Sequence, residues 1–337
     1  MRIEGVAIKS FRSFDGTKIT YQDVGRGPAI VFANGLGGTH EAWVHLINHL
    51  KDEHRILSWD YRGMYASGSP RLTNLRIVDH VRDMELLLER EGIDRALVAG
   101  WSMGTQVAFE FYKQHPEKVL GLVIICGAAG RPFDTALNWR GSKHVMPAAF
   151  RLLQRIHRVQ GAVTRAILAV PHILDLMKIT GMLAKDGDLE TFKYMAADYA
   201  KLDFELYNQI MLELGRHDAR DVLPQIRVPT MVFTADQDFF TPAHVSEEMQ
   251  RTIPDCRLIK LRGAGHYAPL EFPQRFNEEI DAFFRERFAR LYRKSEPAPR
   301  EVEPPSAPKR AAGSAKAKPA KGKARPKRKA APARKRK

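Results

Sequence analysis

The sequence is poor in cysteine and in long apolar runs. It has two cysteines among 337 residues, Cys126 and Cys256, each within an apolar run typical of a strand. Thiols in such runs are expected to be small buried side chains rather than a disulfide or a reactive pair. The longest uncharged apolar run of the helix-rich middle, 166–174, has only nine residues and contains Pro171. A membrane-spanning helix needs about 20, so the sequence predicts no membrane span.

The sequence also lacks signals for export, for cofactors and for metals. The N-terminus has charges at Arg2 and Glu4 and no apolar signal region, so we expect a cytoplasmic protein. No phosphate-binding lysine follows a glycine-rich loop, so no nucleotide cofactor is expected. His45 and His49 have i,i+4 spacing that could hold a metal, but no third ligand follows at suitable spacing. A solvated helix face is the favoured interpretation of this pair.

Positive charge is concentrated at one end of the chain. The formal net charge is +15, but 14 lysines and arginines lie in residues 309–337, which contain no acid, so residues 1–308 carry about +1. From Ser295 onward the composition cannot bury enough apolar surface to fold. We predict a disordered tail over residues 293–337 that binds nucleic acid or another polyanion through residues 309–337, without sequence preference. A merely solubilising extension is the alternative.

The rest of the chain alternates two kinds of segment. Short apolar runs predict strands near 6–11, 18–24, 29–33, 55–59, 94–99, 119–126, 229–234 and 257–261. Apolar residues at helical spacing predict helices near 41–50, 77–90, 107–112, 242–251 and 276–288. This alternation is typical of an α/β protein with a mostly parallel, doubly wound sheet covered by helices on both faces.

Residues 131–215 interrupt this alternation. The segment lacks strand patterns, and its apolar residues recur at helical spacing, among them Phe150, Leu153, Ile156, Val163, Ile167, Leu174, Met177 and Met182. We interpret it as a helical cap inserted into a core made of residues 1–130 and 216–292. Its apolar residues either line a lipophilic pocket or form the core of the cap itself, and the second explanation is the simpler one for most of them.

A serine lies between a predicted strand and a predicted helix, in the stretch Gly-Trp-Ser-Met-Gly that ends at Gly104. The pattern Gly-x-Ser-x-Gly in this place predicts a nucleophile elbow, which holds Ser102 in a strained conformation at the N-terminus of the helix. The flanking glycines would let strand and helix approach closely. The pattern alone is weak evidence, because it should occur by chance in roughly one chain in ten of this length.

Two residues later in the chain, an aspartate and a histidine, follow predicted strands as Ser102 does. An acid, Asp238, follows a predicted strand, and His266 stands in a Gly-Ala-Gly-His loop after the next strand. Together with the order of elements, these positions resemble the α/β-hydrolase family over roughly residues 5–292. In that family a nucleophile, an acid and a histidine follow in this order, so the resemblance implies Ser102, Asp238 and His266 as a catalytic triad.

The acid of this triad has a competitor two residues earlier. The family pattern places a glycine three residues before the acid and a proline four residues after it. Pro242 fits this register for Asp238, whereas Ala235 replaces the glycine. Asp236 is therefore the alternative acid.

The resemblance also implies an oxyanion hole made of two main-chain N–H groups. One belongs to Met103, the residue after the nucleophile, and the other to Leu36 in the glycine-rich loop that begins at Asn34. The family usually has His-Gly at the start of this loop. Asparagine at position 34 leaves the main-chain donor available but changes how the loop is held. Residues 60–63, Asp-Tyr-Arg-Gly, resemble a structural turn of the family.

A serine nucleophile and an oxyanion hole imply acyl transfer to water. Hydrolysis of a carboxylic ester of a lipophilic small molecule is the leading expectation, with thioesters and lactones as related substrates. Two alternatives stay open. One is an acyltransferase that uses the same triad, and the other is a catalytically idle protein of this fold, tethered to a polyanion by its basic tail. The sequence does not indicate an oligomeric state.

Overall fold

An eight-stranded sheet lies at the centre of the computed structural model, which describes residues 2–171, 173 and 188–293. The strands are β1 (Ala7–Arg12), β2 (Lys18–Gly25), β3 (Ala29–Ala33), β4 (Arg55–Trp59), β5 (Ala96–Trp101), β6 (Val119–Ile125), β7 (Thr230–Ala235) and β8 (Cys256–Leu261). Their order is β1-β2-β4-β3-β5-β6-β7-β8. β2 is antiparallel to both of its neighbours, and all other neighbouring pairs are parallel. The predicted mostly parallel sheet is confirmed.

Helices cover both faces of this sheet. The described α-helices are α1 (Val44–Leu50), α2 (Ile77–Arg90), α3 (Met103–Gln114), α4 (Pro132–Thr135), α5 (Ser142–Arg155), α6 (His157–Leu168), α7 (Leu189–Tyr199), α8 (Phe204–Leu214), α9 (Ala243–Thr252), α10 (Ala268–Glu271) and α11 (Pro273–Arg293). Apolar residues of α2, α3 and α9 form one core with the sheet, and those of α1 and α11 form the other. The expected two-sided cover is therefore confirmed.

The central strands are apolar along their whole length because both of their faces are buried. In β3, Val31 contributes to one core and Phe32 to the other, and both are at most 1% exposed. Successive side chains of a strand point to opposite faces, so a strand between two helical layers needs an apolar residue at every position. Of the two parallel strands beside it, β5 is followed by Ser102, whereas Asp238 and His266 follow β7 and β8.

The segment between β6 and β7 contains α4 to α8, and none of its described residues forms a strand. Its two ends lie side by side, since the main-chain N–H of Ala219 donates to the carbonyl of Ala129 at 2.8 Å. Of the apolar residues predicted for this segment, Phe150 stacks on Phe133 with ring centroids 5.6 Å apart, whereas Val163 is half exposed. Three others, Leu174, Met177 and Met182, lie outside the described residues.

Several further expectations concern membrane spans, the two cysteines and the ends of the chain. None of the described helices has the length and apolar character that crossing a membrane would require. Cys126 is buried and Cys256 is partly buried, and both are free thiols. The described residues belong to one compact unit, Met1–Ser295. The predicted tail lies outside the described residues after Arg293.

Candidate active site

Ser102 occupies the turn between β5 and α3. Its backbone has φ +54° and ψ −114°, a conformation that costs roughly 1–3 kcal/mol and persists only where its surroundings enforce it. A Cβ atom on Gly100 would lie 2.3 Å from the carbonyl oxygen of Gly104, and one on Gly104 would lie 2.0 Å from that of Ala33. The predicted close approach of strand and helix is confirmed, and it fixes Ser102 at the N-terminus of α3.

The carboxylate of Asp238 contacts the imidazole of His266. Asp238 Oδ2 is 2.8 Å from His266 Nδ1 and accepts a second hydrogen bond from Thr241 Oγ1 at 2.6 Å. Asp238 Oδ1 accepts from the main-chain N–H groups of Phe240 and Thr241 at 2.8 and 3.0 Å. Four bonds fix the orientation of the carboxylate. Because an ionised carboxylate only accepts, Nδ1 is the protonated nitrogen and Nε2 of a neutral imidazole is left as a proton acceptor.

Electrostatics keep Asp238 ionised in this position. Its side chain is buried, and burial alone would raise the pKa of Asp238. The neighbouring His266 and the hydrogen bonds from Thr241 outweigh burial and lower the pKa of Asp238 below its usual value. A carboxylate held ionised beside Nδ1 stabilises a positive charge on the ring whenever Nε2 takes up a proton.

Asp236, the alternative acid, makes a different contact. Its Oδ1 accepts a 2.7 Å hydrogen bond from the main-chain N–H of Gly263, in the loop that leads to His266. The side chain of Asp236 lies at the exposed surface. Asp236 therefore supports the loop that carries the histidine, whereas Asp238 contacts the histidine itself.

Asn34 fixes the start of the glycine-rich loop through hydrogen bonds to β4 and to neighbouring aromatic residues. Its Oδ1 accepts from Trp43 Nε1 at 2.6 Å and from Ser58 Oγ at 3.2 Å, and its Nδ2 donates to the carbonyl of Trp59 at 2.9 Å. Its own carbonyl accepts from the Tyr61 hydroxyl at 2.8 Å. Asn34 is 1% exposed, so its side chain is used for structure and does not reach a substrate.

The two predicted oxyanion donors, Leu36 and Met103, come from different parts of the chain. Leu36 belongs to the loop that lines a cavity beside Ser102. Met103 is the first residue of α3, and the first N–H groups of a helix have no acceptor within the helix. The loop is also tied down at Gly37, whose carbonyl accepts a hydrogen bond from the Tyr65 hydroxyl. Met103 follows Ser102 directly and Leu36 lines the same cavity as Ser102, and their role as an oxyanion hole stays a prediction.

The cavity beside Ser102 has a volume of about 360 Å³ and is lined by both Ser102 and His266. Its walls come from the glycine-rich loop, α6, α7 and the loops after β7 and β8. Side chains that give it an apolar character include Leu36, Leu168, Phe192, Met195, Phe240 and Tyr267. Among the described residues, no Asp, Glu, Lys or Arg lines the cavity. Its chemistry suits uncharged, apolar groups.

A family model described as the alpha/beta hydrolase fold matches residues 28–273 of this chain. The chain belongs to the α/β-hydrolase family. The match begins just before β3 and includes the elbow, the acid after β7 and the histidine after β8. All three predicted triad positions of this α/β-hydrolase-fold protein therefore lie within the family match.

Curated relatives and solved structures agree with this assignment. A RutD protein of Azorhizobium caulinodans, whose name proposes a carbamate hydrolase, is 27% identical over 266 residues, which cover 78% of this chain and 93% of the relative. An esterase from Exiguobacterium antarcticum superposes with a TM-score of 0.68 at 22% identity, covering 82% of this chain and 98% of the esterase. The enol-lactonase from Burkholderia xenovorans LB400 has a TM-score of 0.67 at 20% identity, covering 82% and 99%. At these identities the solved structures show a shared fold.

Two side chains that the sequence analysis did not single out support the loops of the α/β-hydrolase site. Thr241 donates two of the bonds that fix Asp238, one from its main-chain N–H and one from its hydroxyl. A threonine three residues after an acid often closes a local turn, which is a sequence signal for this role. Glu271 Oε2 accepts from the main-chain N–H of Gly265 at 2.6 Å, next to His266. No local sequence signal marks Glu271, because its partner lies across a loop.

The histidine pair considered for a metal has other partners. His45 Nε2 lies 2.9 Å from Asp188 Oδ2, and His49 Nε2 lies 2.8 Å from Asp281 Oδ1. The two rings thus face different acids. Within residues 2–171, 173 and 188–293, no group of three or more His, Cys, Asp or Glu is arranged to hold a metal ion.

Proposed function

We propose that this protein is a serine hydrolase that cleaves a carboxylic ester of an uncharged, lipophilic small molecule. The observation that carries the proposal is the 2.8 Å contact between His266 Nδ1 and Asp238 Oδ2 beside a cavity that Ser102 also lines. This contact orients the unprotonated Nε2 as a general base.

In the proposed reaction, His266 Nε2 takes the proton of the Ser102 hydroxyl as its oxygen attacks the ester carbonyl. The resulting oxyanion accepts hydrogen bonds from the main-chain N–H groups of Leu36 and Met103. The imidazolium then returns the proton to the leaving alcohol, and the C–O bond breaks to give an acyl-enzyme. Water repeats the sequence on the acyl-enzyme, which releases the acid and restores Ser102.

The lining of the cavity favours uncharged substrates. A carboxylate or phosphate on the substrate would lose its hydration without a lysine or arginine to pair with, which costs several kcal/mol. The apolar walls instead favour an aliphatic or aromatic acyl group. The names of the related proteins, an esterase, an enol-lactonase and a proposed carbamate hydrolase, all refer to cleavage at a carbonyl carbon. Lactones, thioesters and carbamates therefore belong in the substrate panel.

The test is hydrolysis of nitrophenyl esters of increasing chain length by the wild type and by Ser102→Ala. Loss of a triad nucleophile should lower kcat by roughly 10⁴- to 10⁶-fold, and a fluorophosphonate probe should label Ser102 in the wild type alone. The matched control is Ser69→Ala at an exposed serine, which should behave as the wild type. Wild-type kcat in Ser102→Ala would overturn the proposal. An acyltransferase would instead give faster product release, with acyl transfer, when an alcohol or thiol is added.

A further inference from the structure

Helices α5 and α6 expose apolar side chains to solvent. We call this set the α5–α6 face, and it consists of Val145, Leu152, Ile156, Val159 and Val163. Ile167, the next apolar residue at this spacing, lines the cavity beside Ser102 and is not counted in the face. Their exposed fractions lie between 40% for Ile156 and 58% for Val159. Single exposed apolar side chains are common on proteins, but a contiguous group is typical of an interaction surface.

The spacing of these residues gathers them on one side of the helices. They recur at intervals of seven, four, three and four residues, which is the spacing of an apolar stripe that continues from α5 through Ile156 into α6. The opposite side packs on α8 through polar contacts. Gln154 donates to Gln209 Oε1 at 2.6 Å, and Asn208 donates to Gln160 Oε1 at 2.6 Å. The apolar stripe is therefore the outer side of the helix pair.

Cationic residues accompany this stripe, and acids are absent from it. The cations are Arg140, Lys143, Arg151, Arg155, Arg158 and Arg165, all of which are exposed. Residues 135–174 contain no Asp or Glu. Three of the arginines, at 151, 158 and 165, recur every seven residues, which is about two helical turns, so they run along the stripe. The outer side is both apolar and strongly positive.

We propose that the α5–α6 face docks onto the surface of an anionic lipid membrane. A helix with an apolar stripe and flanking Lys or Arg lies in the plane of the interface, with the stripe among the acyl chains and the cations at the headgroup phosphates. A second copy would bring six cations against six without any acid from this segment, which is repulsive. Nucleic acid would pair with the cations but would leave the apolar stripe without a partner. The anionic membrane satisfies both features.

A groove beside this face leads toward the candidate active site. It has a volume of about 600 Å³, and its walls include the apolar Val170, Pro171 and Ile173 as well as Arg165 and Lys193. Those two cations could contact a lipid phosphate while the apolar walls hold a chain. The groove shares Leu168 and Ala196 with the cavity that contains Ser102. A lipophilic molecule that enters this groove from the membrane would therefore be separated from the cavity beside Ser102 only by side chains such as Leu168 and Ala196.

The test is flotation of the full chain with vesicles of a neutral phosphatidylcholine, with and without 30% phosphatidylglycerol. The variant Val159→Glu/Val163→Glu places two acids on the stripe, and we expect it to lower the partition coefficient for the anionic vesicles by about tenfold or more. The matched control is Ile8→Glu/Leu72→Glu, at residues that are 71% and 41% exposed elsewhere. It should bind as the wild type does. Measurements at 100 and 500 mM NaCl show how much of the binding is charge attraction, by the face or by the basic tail, because salt screens that part and not apolar insertion.

The outcomes divide clearly. Anionic-dependent binding that the Val159→Glu/Val163→Glu variant loses, with its melting temperature and oligomeric state unchanged, supports the proposal. Equal binding of the two double variants would overturn it and assign vesicle binding to the tail. Binding to neutral and anionic vesicles alike would also overturn it. A wild-type dimer that the face variant converts to a monomer would identify a second copy as the occupant instead. None of these measurements depends on the proposed hydrolase activity.

Discussion

The indole Nε1 of Trp101 donates a 3.0 Å hydrogen bond to the main-chain carbonyl of His266. The bond joins the residue before the elbow serine to the loop that carries the histidine, 165 positions later in the chain. The Trp101 ring also packs edge-on against Tyr267, with centroids 5.5 Å apart. The distance between elbow and histidine loop is therefore set by a side chain that needs no contact with the reacting atoms.

We expect Trp101→Phe to lower kcat about tenfold with little change in KM for a short ester. Phenylalanine keeps an aromatic ring at the site but removes the donor, which leaves the carbonyl of His266 unpaired and its loop less restrained. The measurement is kcat, KM and melting temperature for this variant and for Trp139→Phe, a control at a tryptophan that is 53% exposed. A fall in melting temperature without a fall in kcat would show that Trp101 is only structural.

Exchanging each acid for its amide should separate Asp238 from Asp236. Asp238→Asn would favour the wrong tautomer of His266, and we expect kcat to fall by roughly 10⁴-fold. Asp236→Asn keeps an oxygen that accepts from Gly263 N–H, so kcat should stay within about threefold of the wild type. Steady-state kinetics of both variants on one nitrophenyl ester decide the matter. Equal losses, or a larger loss for Asp236→Asn, would contradict the assignment.

The fold could be predicted from the sequence because its signals are local. Each strand between two helical layers must be apolar throughout, as in β3, and a covering helix such as α2 shows a single apolar stripe. The elbow was also predictable, since Gly100 and Gly104 are required by contacts closer than any side chain permits. The triad of Ser102, Asp238 and His266 is implied by the resemblance to the α/β-hydrolase family, because the alternation of strands and helices alone assigns no catalytic residue.

Contacts between distant parts of the chain could not be predicted in the same way. Asn34 could have faced the substrate, and only the positions of Trp43 and Trp59 show that it fixes the start of the loop. Arg62, in the turn interpreted as structural, is fully buried, and its guanidinium pairs with Asp83 at 2.6 Å and with Asp15 at 3.0 Å. Such pairs depend on tertiary geometry, and residue types alone do not encode it.

Filling the cavity should change the preferred acyl chain length. Leu168 of α6 lines the cavity, whose volume is about 360 Å³. Leu168→Trp places a larger side chain there and leaves less space for a substrate. We expect kcat/KM for an octanoyl ester to fall at least about tenfold relative to that for an acetyl ester, because the longer chain needs the lost space. Leu72→Trp, at a residue 41% exposed away from the cavity, is the control. An unchanged ratio of the two esters would show that the acyl chain lies elsewhere.

Asp60 should make stability depend on pH between about 4 and 6. Burial raises the pKa of Asp60 from 3.8 to about 6. The hydrogen bond that the carboxylate accepts from the N–H of Ala66 lowers the pKa, but by less than burial raises it. Between these pH values the Asp60 carboxyl is protonated in the folded state and ionised in the unfolded state. The free energy of unfolding therefore falls as pH rises, by up to about 3 kcal/mol. Asp60→Asn keeps an acceptor for Ala66 and removes the titration.

The measurement for Asp60 is the free energy of unfolding in urea at pH 4.5 and 7.5. Relative to the wild type, Asp60→Asn should gain stability at pH 7.5 and gain less at pH 4.5. Asp52→Asn, at an exposed acid, should show no such difference between the two pH values. A gain for Asp60→Asn that is the same at both would contradict the assignment.

Removing the basic tail should abolish retention on nucleic acid and leave catalysis unchanged. Residues 309–337 contain 14 cations and no acid, so their binding to phosphates would release counterions and weaken steeply with salt. The tail has no aromatic residue for base stacking, so no sequence preference is expected.

We expect a chain truncated after Tyr292 to keep the wild-type kcat/KM for a neutral ester and to pass through a DNA column at 50 mM salt, where the full chain is retained. A full-length variant with these 14 cations replaced by glutamine controls for length. Equal retention of the full and truncated chains would show that the tail is not a polyanion anchor.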